Sequence, residues 1–215
     1  MENKHFKQAI ALVNVSQKQI EEIELGYDLC LSKMEIDDNL LIVIKNFLEN
    51  LRSALEYSAQ GLSEKYGTCK DKSKISFPYA KKSVPKEQFI AKKYIEKRIP
   101  GLSGSRPDIV NFIQSMQHFS DKRAEWFPVF MSLTNTNKHI EFVPHEKFEG
   151  VEMSFGGSSI VASGFSGTGT FPKDAKIKSW DAFLIKGVDW PMTGIEFLKH
   201  CQAAIYGVVN QLEKM

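Results

Sequence analysis

The stretch IDDNLLIVIKNFLENLRSALEYSAQGLSEKYG, residues 36–67, decides the fold. Its apolar residues recur at alternating spacings of three and four, which places their side chains on one face of an α-helix. The residues on this face are Leu41, Ile44, Leu48, Leu51, Leu55, Ser58 and Leu62. Asp37 or Asp38 suits the N-cap and Gly67 the C-terminal stop. The stretch therefore predicts one long helix with one face in a hydrophobic core.

The preceding stretch SQKQIEEIELGYDL predicts a second helix, antiparallel to the first. Ser16 and Gln19 stand at the spacing of a capping box, and the apolar face continues through Ile20, Ile23, Tyr27 and Leu31. The opening HFKQAIALV also has helical spacing. The sequence leaves open whether the opening continues into the second helix or a break occurs near Asn14.

Residues 67–85 are predicted to cross the bundle as an extended segment. They include ISFPYAKKSVP, in which prolines and lysines interrupt any long periodicity. Ser83 and Pro85 suit the start of a short helix through KEQFIAKKYIEKRI. Pro100 and Gly101 are expected to end it.

Two further helices are predicted before the composition changes. SRPDIVNFIQSMQHF has Ser105 as its cap and Pro107 in its first turn. In EWFPVFMSLTNTNKH the helix is expected to start near Pro128, because an interior proline removes a hydrogen bond, and to run to about Lys138. The side chains predicted to be buried are Ile109, Phe112, Ile113, Met116, Phe127, Phe130, Met131 and Leu133.

From Ile140 to about Asp189 the pattern changes to short β-rich segments separated by glycines, which predicts a small antiparallel sheet. GFSGTGTFPK resembles a phosphate-binding loop only superficially, since it has no Gly-Lys-Ser/Thr and no helix follows; we interpret it as hairpin turns. The chain then ends in a helix capped by Thr193, with Glu196 at capping-box spacing. Its apolar stripe is Leu198, Cys201, Ile205, Val208 and Leu212.

These elements predict an α+β protein: a mostly helical bundle with a small antiparallel β-sheet inserted before the C-terminal helix. We expect a single domain over residues 1–215. Residues 1–139 form its helical part, residues 140–190 the β part, and residues 191–215 a helix that returns to the bundle.

Composition places the chain among ordinary globular proteins, with 42% hydrophobic and 25% charged residues over 215 positions. MENKHFKQAI lacks the pattern of a secretory leader, and no apolar run is long enough for a membrane span. We therefore expect a cytoplasmic protein without a membrane segment. Cys30, Cys69 and Cys201 are widely separated and form no Cys-x-x-Cys pair, which argues against a disulfide framework or a thiolate metal site.

Basic charge is concentrated in residues 65–98, which we call the basic segment. It carries eleven basic residues against three acidic ones, a net charge of +8, and the rest of the chain carries −6. Such an excess attracts polyanions. Lysines in a loop and on an outer helix face also occur simply as solubilising charge, and lysine lacks the bidentate geometry that arginine brings to phosphate. Both interpretations stay open.

Four stretches, LRSALEY, FPY, MQHF and SLTNTNKH, resemble the motifs R-x-x-L-D/E, F-P-I, Q-P-Y and L-x-N-x-D-K-H-R of an uncharacterised family of bacterial proteins. The resemblance covers about residues 45–140. The chain departs from the family at His118 in place of Pro, Asn137 in place of Asp and Ile140 in place of Arg. The resemblance implies an architecture and no established activity.

A looser similarity is to HEPN domains, helical bundles in which an Arg and a His near a helix end cleave RNA without a metal. The nearest equivalent here is Asn135 followed by His139, with no Arg between positions 124 and 215. The similarity implies that His139 would act as the base and Lys138 as the cation that stabilises the phosphorane.

Spacing places Asn135 and His139 on one helical face, and Arg52 and Glu56 on another. If the two helices pack, the four groups can meet beside Lys138 in a site. The structural alternatives are a salt-bridged solvated face for the first helix and helix-end capping for the second. As a structural joint, Asn135 and His139 would be buried and bonded to backbone or to Arg52 and Glu56.

Other chemistries are not supported by the pattern. His139 and His145 have no third ligand at metal spacing, and no G-x-S-x-G elbow is present, so we expect no metal, no cofactor and no serine hydrolase. Two functional hypotheses follow. The first is a non-catalytic interaction or regulatory protein whose partner is a protein or an RNA that contacts residues 65–98. The second is a HEPN-like ribonuclease or toxin of a defence system.

Overall fold

The computed structural model describes residues 3–33, 35–139, 145–155, 158–163, 176–185 and 193–215. Side chains are described within these ranges except at residues 32, 122 and 136–139, and among the strands only at His145, Leu184 and Ile185.

Helices dominate the described part of the chain. They are α1 Lys4–Lys33, α2 Asp38–Tyr66, α3 Lys86–Ala91, α4 Tyr94–Arg98, α5 Leu102–Ser105, α6 Pro107–Ser115, α7 Trp126–His139 and α8 Gly194–Lys214. Single 3-10 turns lie at Lys72–Lys74 and Lys122–Ala124. The helical part of the predicted fold class is confirmed, and no helix in these ranges is both long and apolar enough to cross a membrane.

The long helix α2 forms as predicted. The Asp37 carboxylate accepts a hydrogen bond from the Asn39 amide at its start, and Gly67 follows its last residue. Its apolar face is fully buried through Ile44, Leu48, Leu51, Leu55 and Leu62, and Leu40 rather than Leu41 begins that face. This face forms the centre of the hydrophobic core.

Helices α1 and α2 pack as an antiparallel pair, which confirms that prediction. Gln19 and Asn50 are hydrogen-bonded at 2.9 Å near the middle of the pair, and Asn3 contacts Glu64 at one end. Near the other end Gly26 lies against Leu40, where a Cβ atom would be 2.7 Å from Leu40 Cδ1. A larger residue at this position would therefore require the Leu40 side chain to shift.

Helix α1 is continuous, which is one of the two alternatives left open, and the predicted capping role of Ser16 is wrong. Ser16 is fully buried inside the helix, and its hydroxyl donates to the Val13 carbonyl at 2.7 Å. A serine that bonds the preceding turn in this way is satisfied within a helix and caps nothing. Helix formation from Lys4 onward, driven by burial of Phe6, Ala9 and Val13, outweighs the capping signal.

The helices that follow the crossover differ from prediction in two places. The expected helix over residues 86–99 is two helices, α3 and α4, separated at Lys93, whose φ of 51° is left-handed. Ser105 does not cap α6; Arg106 occupies the N-cap, and the Ser105 hydroxyl donates to the Tyr66 carbonyl at 2.9 Å. Pro107 stands in the first turn of α6 as predicted.

The terminal helix α8 is confirmed in detail. The Thr193 hydroxyl and the Glu196 carboxylate form the predicted capping box. The stripe from Leu198 to Leu212 is buried, and α8 packs on α1, α2 and α7. The C-terminal helix therefore returns to the bundle.

Three β-strands are described between α7 and α8: β1 His145–Phe155, β2 Ser158–Ser163 and β3 Lys176–Ile185. β1 pairs antiparallel with both other strands, so the order is β2-β1-β3. Side-chain packing is described at only three strand residues, so the sheet as a packed layer of the fold stays a prediction. The GFSGTGTFPK segment lies outside the described residues, and the single-domain prediction for residues 1–215 is not tested.

Candidate functional site

Arg52 and Glu56 lie one turn apart on α2 and form an ion pair, as their spacing predicts. Arg52 Nε donates to Glu56 Oε1 at 2.7 Å. The Arg52 side chain is 13% exposed and that of Glu56 30% exposed. The interpretation of this pair as part of a solvated face is therefore wrong, because a neighbouring segment and helix cover most of it.

The neighbouring segment is the crossover, and side chains hold it in place. Glu56 Oε2 accepts a hydrogen bond from the Phe77 amide at 2.7 Å. The fully buried Gln117 accepts from the Ala80 amide at 2.8 Å and donates to the Ile113 carbonyl at 2.9 Å. An extended segment without a strand partner must satisfy its amides elsewhere. Glu56 and Gln117 supply those acceptors.

Arg52 joins the same segment to α7. Its Nη1 lies 2.9 Å from the sulfur of Met131, a weak acceptor, and its Cζ lies 5.6 Å from the centre of the Tyr79 ring. Tyr79 also packs edge-on against Phe127 of α7, with ring centres 6.5 Å apart. The guanidinium is thus engaged on three sides by Glu56, Met131 and Tyr79.

Asn135 reaches this cluster only through Tyr79. Its side-chain amide donates to the Tyr79 hydroxyl at 3.2 Å, and Asn135 itself is exposed. The expectation for a structural joint, a buried Asn135 bonded to backbone or to Arg52 and Glu56, is therefore wrong for this residue. Tyr79 stands between the two helices and takes the bond that was expected from Arg52 or Glu56.

Lys138 and His139 belong to the last turn of α7. Their side chains lie outside the described residues, so the predicted meeting of His139 with Arg52 is not tested. Of the five predicted site residues, Arg52 and Asn135 contact Tyr79, and Glu56 joins them through its ion pair with Arg52.

Tyr79 and Gln117 are the residues that the sequence reasoning missed as members of the cluster. Both lie in the stretches that carry the family resemblance, FPY and MQHF. Their place in these stretches is the one sequence signal that could have found them, because the burial of Gln117 is seen only in the structure. The stretches LRSALEY, FPY and MQHF meet at the crossover.

Burial sets the electrostatics beside the crossover. His118 follows Gln117, and desolvation lowers its pKa, only partly opposed by Glu125. Its imidazole is therefore neutral near pH 7. A hydrogen bond with the Lys82 backbone also raises the pKa of His118 and the charge of Lys82 lowers it, which places basic-segment charge beside this end of the cluster.

All eleven basic side chains of the basic segment are exposed. Among the described residues, carboxylates form ion pairs with Lys72 and Lys74, and Lys65 lies 5.2 Å from the centre of the Phe6 ring. No described carboxylate forms an ion pair with Lys70, Lys81, Lys86, Lys92, Lys97 or Arg98. The segment therefore carries a large uncompensated positive charge on a surface held by buried contacts.

Among the described residues, the cysteines and the possible metal ligands do not form a reactive or metal-binding site. Cys30 and Cys201 are buried, and burial raises the pKa of the Cys201 thiol well above its ordinary value. A buried thiol of this kind is a poor nucleophile. No group of three or more His, Cys, Asp or Glu side chains among those described is arranged to hold a metal ion.

Comparison of the chain with models of protein families, with curated proteins and with solved structures finds no match. We therefore infer function from the contacts and charges of the described residues.

Proposed function

We propose that the chain is a non-catalytic interaction protein that binds RNA through its basic segment, residues 65–98. The observation that carries this proposal is the exposure of all eleven basic side chains, six of which form no ion pair with a described carboxylate. Counterion release from an RNA backbone favours binding to such a surface.

The way in which the crossover is held supports binding rather than simple solubility. Glu56 and Gln117 fix the Phe77 and Ala80 amides in the stretch that leads to Lys81 and Lys82. Basic side chains on a held backbone lose less conformational freedom on binding than those on a free tail. A solubilising charge needs no such support.

Catalysis is less well supported by the same contacts. A phosphorane needs a cation that is free to contact it. The side chain of Lys138, the cation of the ribonuclease hypothesis, lies outside the described residues. The guanidinium of Arg52, the predicted site cation that is described, already contacts Glu56, Met131 and Tyr79. We therefore place Arg52, Glu56 and Asn135 in a structural cluster that holds the crossover, and keep the ribonuclease as an outcome of the test.

We also propose that residues 140–190 form a small antiparallel sheet fixed to the bundle at both ends. At the start of β1, His145 Nε2 lies 2.5 Å from the hydroxyl of the buried Tyr27. At the end of β3, Ile185 is 3% exposed and belongs to the hydrophobic core. The start of β1 and the end of β3 therefore both contact the helices.

The test of RNA binding uses the full chain with a fluorescent mixed-sequence RNA in EDTA at about 50 mM salt, in the range where phosphate contacts are strong. We expect fluorescence anisotropy to rise with protein concentration while the RNA stays intact on a denaturing gel. Absence of binding would contradict the proposal. Cleavage that disappears in His139→Ala but persists in His118→Ala would establish the ribonuclease instead.

A further inference from the structure

A cleft of about 460 Å³ lies within the basic segment and the helices next to it, lined by residues of α3, α4, α5 and α6. Phe89 and Tyr94 form an aromatic stack on its wall, with ring centres 5.0 Å apart and ring planes 18° apart. Phe89 is buried, whereas Tyr94 is half-buried and Ile90 is 47% exposed. The cleft therefore offers accessible aromatic and apolar surface.

The break between α3 and α4 makes this stack possible. In an uninterrupted α-helix, side chains five residues apart point about 140° away from each other. Lys93 adopts a left-handed backbone conformation between the two helices, with φ 51°. A non-glycine residue in this conformation is strained and is held by its surroundings. The strain at Lys93 thus serves to bring Phe89 and Tyr94 together.

The polar rim of the cleft is arranged for an anionic ligand with polar edges. Lys93 and Gln114 line the cleft, and Lys92 and Lys97, each next in the chain to a lining residue, are exposed. Glu96 also lines the cleft, but its two carboxylate oxygens accept from the Gly101 amide at 2.6 Å and the Ser103 amide at 3.2 Å.

The charge of Glu96 is therefore directed into the protein. Burial raises the pKa of its carboxyl, and the hydrogen bonds from Gly101 and Ser103, with the charge of Lys93, outweigh that effect and lower the pKa overall. The carboxylate is engaged by the protein backbone, which leaves the lysines to determine what the cleft attracts.

We propose that this cleft binds an unpaired base of single-stranded RNA, with Tyr94 and Ile90 contacting the base and the lysines contacting the neighbouring phosphates. This inference rests on the proposed RNA binding and adds the form of RNA that is recognised. Aromatic side chains in a basic groove bind single strands because every base has a face that can stack. A duplex keeps its bases stacked inside, so it can use the lysines but not the cleft.

Gly104 offers a way to fill the cleft without disturbing the fold. A Cβ atom at Gly104 would meet no atom within 4 Å among the described residues, and its φ is not positive. Gly104→Leu therefore places a side chain at the lining of the cleft. Gly207 on α8 is equally open, so Gly207→Leu is the matched control.

The experiment measures the affinity of wild type and both variants for a single-stranded RNA and for a duplex of the same length, at one salt concentration. We expect Gly104→Leu to weaken single-strand binding by about tenfold, the effect of losing one stacked base. Its duplex binding should be unchanged, as should both affinities of Gly207→Leu. Tyr94→Leu should repeat the loss without adding bulk, with its melting temperature measured alongside.

The outcomes separate the two proposals. If wild type binds neither RNA, both the RNA-binding function and the cleft fail. If wild type binds both RNAs and Gly104→Leu binds the single strand as tightly as wild type does, RNA binding stands and the cleft proposal is overturned. A single-stranded DNA of the same sequence that binds as tightly as the RNA would contradict the assignment to RNA.

Discussion

Glu56 is the residue on which the candidate cluster depends most. One of its oxygens accepts from Arg52 and the other from the Phe77 amide, so a single carboxylate joins α2 to the crossover. Removal of the Glu56 carboxylate leaves the half-buried Arg52 guanidinium and the Phe77 amide without this acceptor. A buried polar group left without a partner costs more free energy than its hydrogen bond contributes to stability.

We expect Glu56→Ala to lower the free energy of unfolding by about 1–3 kcal/mol, the usual cost of leaving buried partners unsatisfied. Glu56→Gln should cost less, because its amide oxygen still accepts from the Phe77 amide. Urea denaturation measures both. Glu21→Ala, on the exposed face of α1, is the control and should change little. Equal midpoints for Glu56→Ala and wild type would show that the carboxylate does not hold the crossover.

At this scale the sequence predicts bonds between near neighbours and misses those between distant ones. The spacing of Arg52 and Glu56 predicts their ion pair, which the structure contains. Tyr79 joins Asn135 across 56 positions of the chain, and no periodicity encodes such a contact. The burial of Asn135 was mispredicted for the same reason, since the prediction had no knowledge of Tyr79.

Among the elements, α2 organises the bundle. α1, α7 and α8 all pack against it, and its buried face runs along its whole length. Its stability comes from this packing more than from helix propensity, since most helical stability in proteins is tertiary. A side chain from the middle of the face should therefore matter far more than one from its exposed side.

We expect Leu51→Ala to lower the free energy of unfolding by about 2–5 kcal/mol, because it leaves a cavity beside fully buried neighbours. Leu51 has no exposed surface, whereas Ile42 on the same helix is 43% exposed. Ile42→Ala is therefore the matched control, and its midpoint should stay close to wild type. A Leu51→Ala midpoint equal to that of Ile42→Ala would contradict the assignment of this face to the core.

Long helices are predictable from sequence because their apolar pattern repeats. The positions at which a helix breaks carry no such repeat and are harder to predict. Asp37 caps the start of α2, Gly67 follows its end, and Thr193 caps the start of α8, all as predicted. The capping-box spacing at Ser16 predicts a start that burial of the preceding turn overrides. The break at Lys93 has no glycine or proline to signal it, and no periodicity predicts the stack of Phe89 on Tyr94 that it makes possible.

At the scale of the whole molecule, positive charge is concentrated in one segment that buried contacts hold in place, which suits the binding of an anion. The basic segment carries +8 and the rest of the chain −6. Buried hydrogen bonds from Glu56 and Gln117 hold the extended part of that segment, and its lysines remain exposed. The central claim is that these lysines contact the phosphates of RNA.

The salt dependence of RNA affinity tests that claim most directly, because the slope of log affinity against log salt counts the phosphates contacted. The comparison is between wild type, Lys81→Gln with Lys86→Gln, and the control Lys4→Gln with Lys18→Gln, whose residues are exposed on α1. We predict that the basic-segment variant reduces the slope by about 0.7 per lost single-strand contact and that the control keeps the wild-type slope. Equal slopes for the two variants would contradict the claim that the basic segment binds RNA.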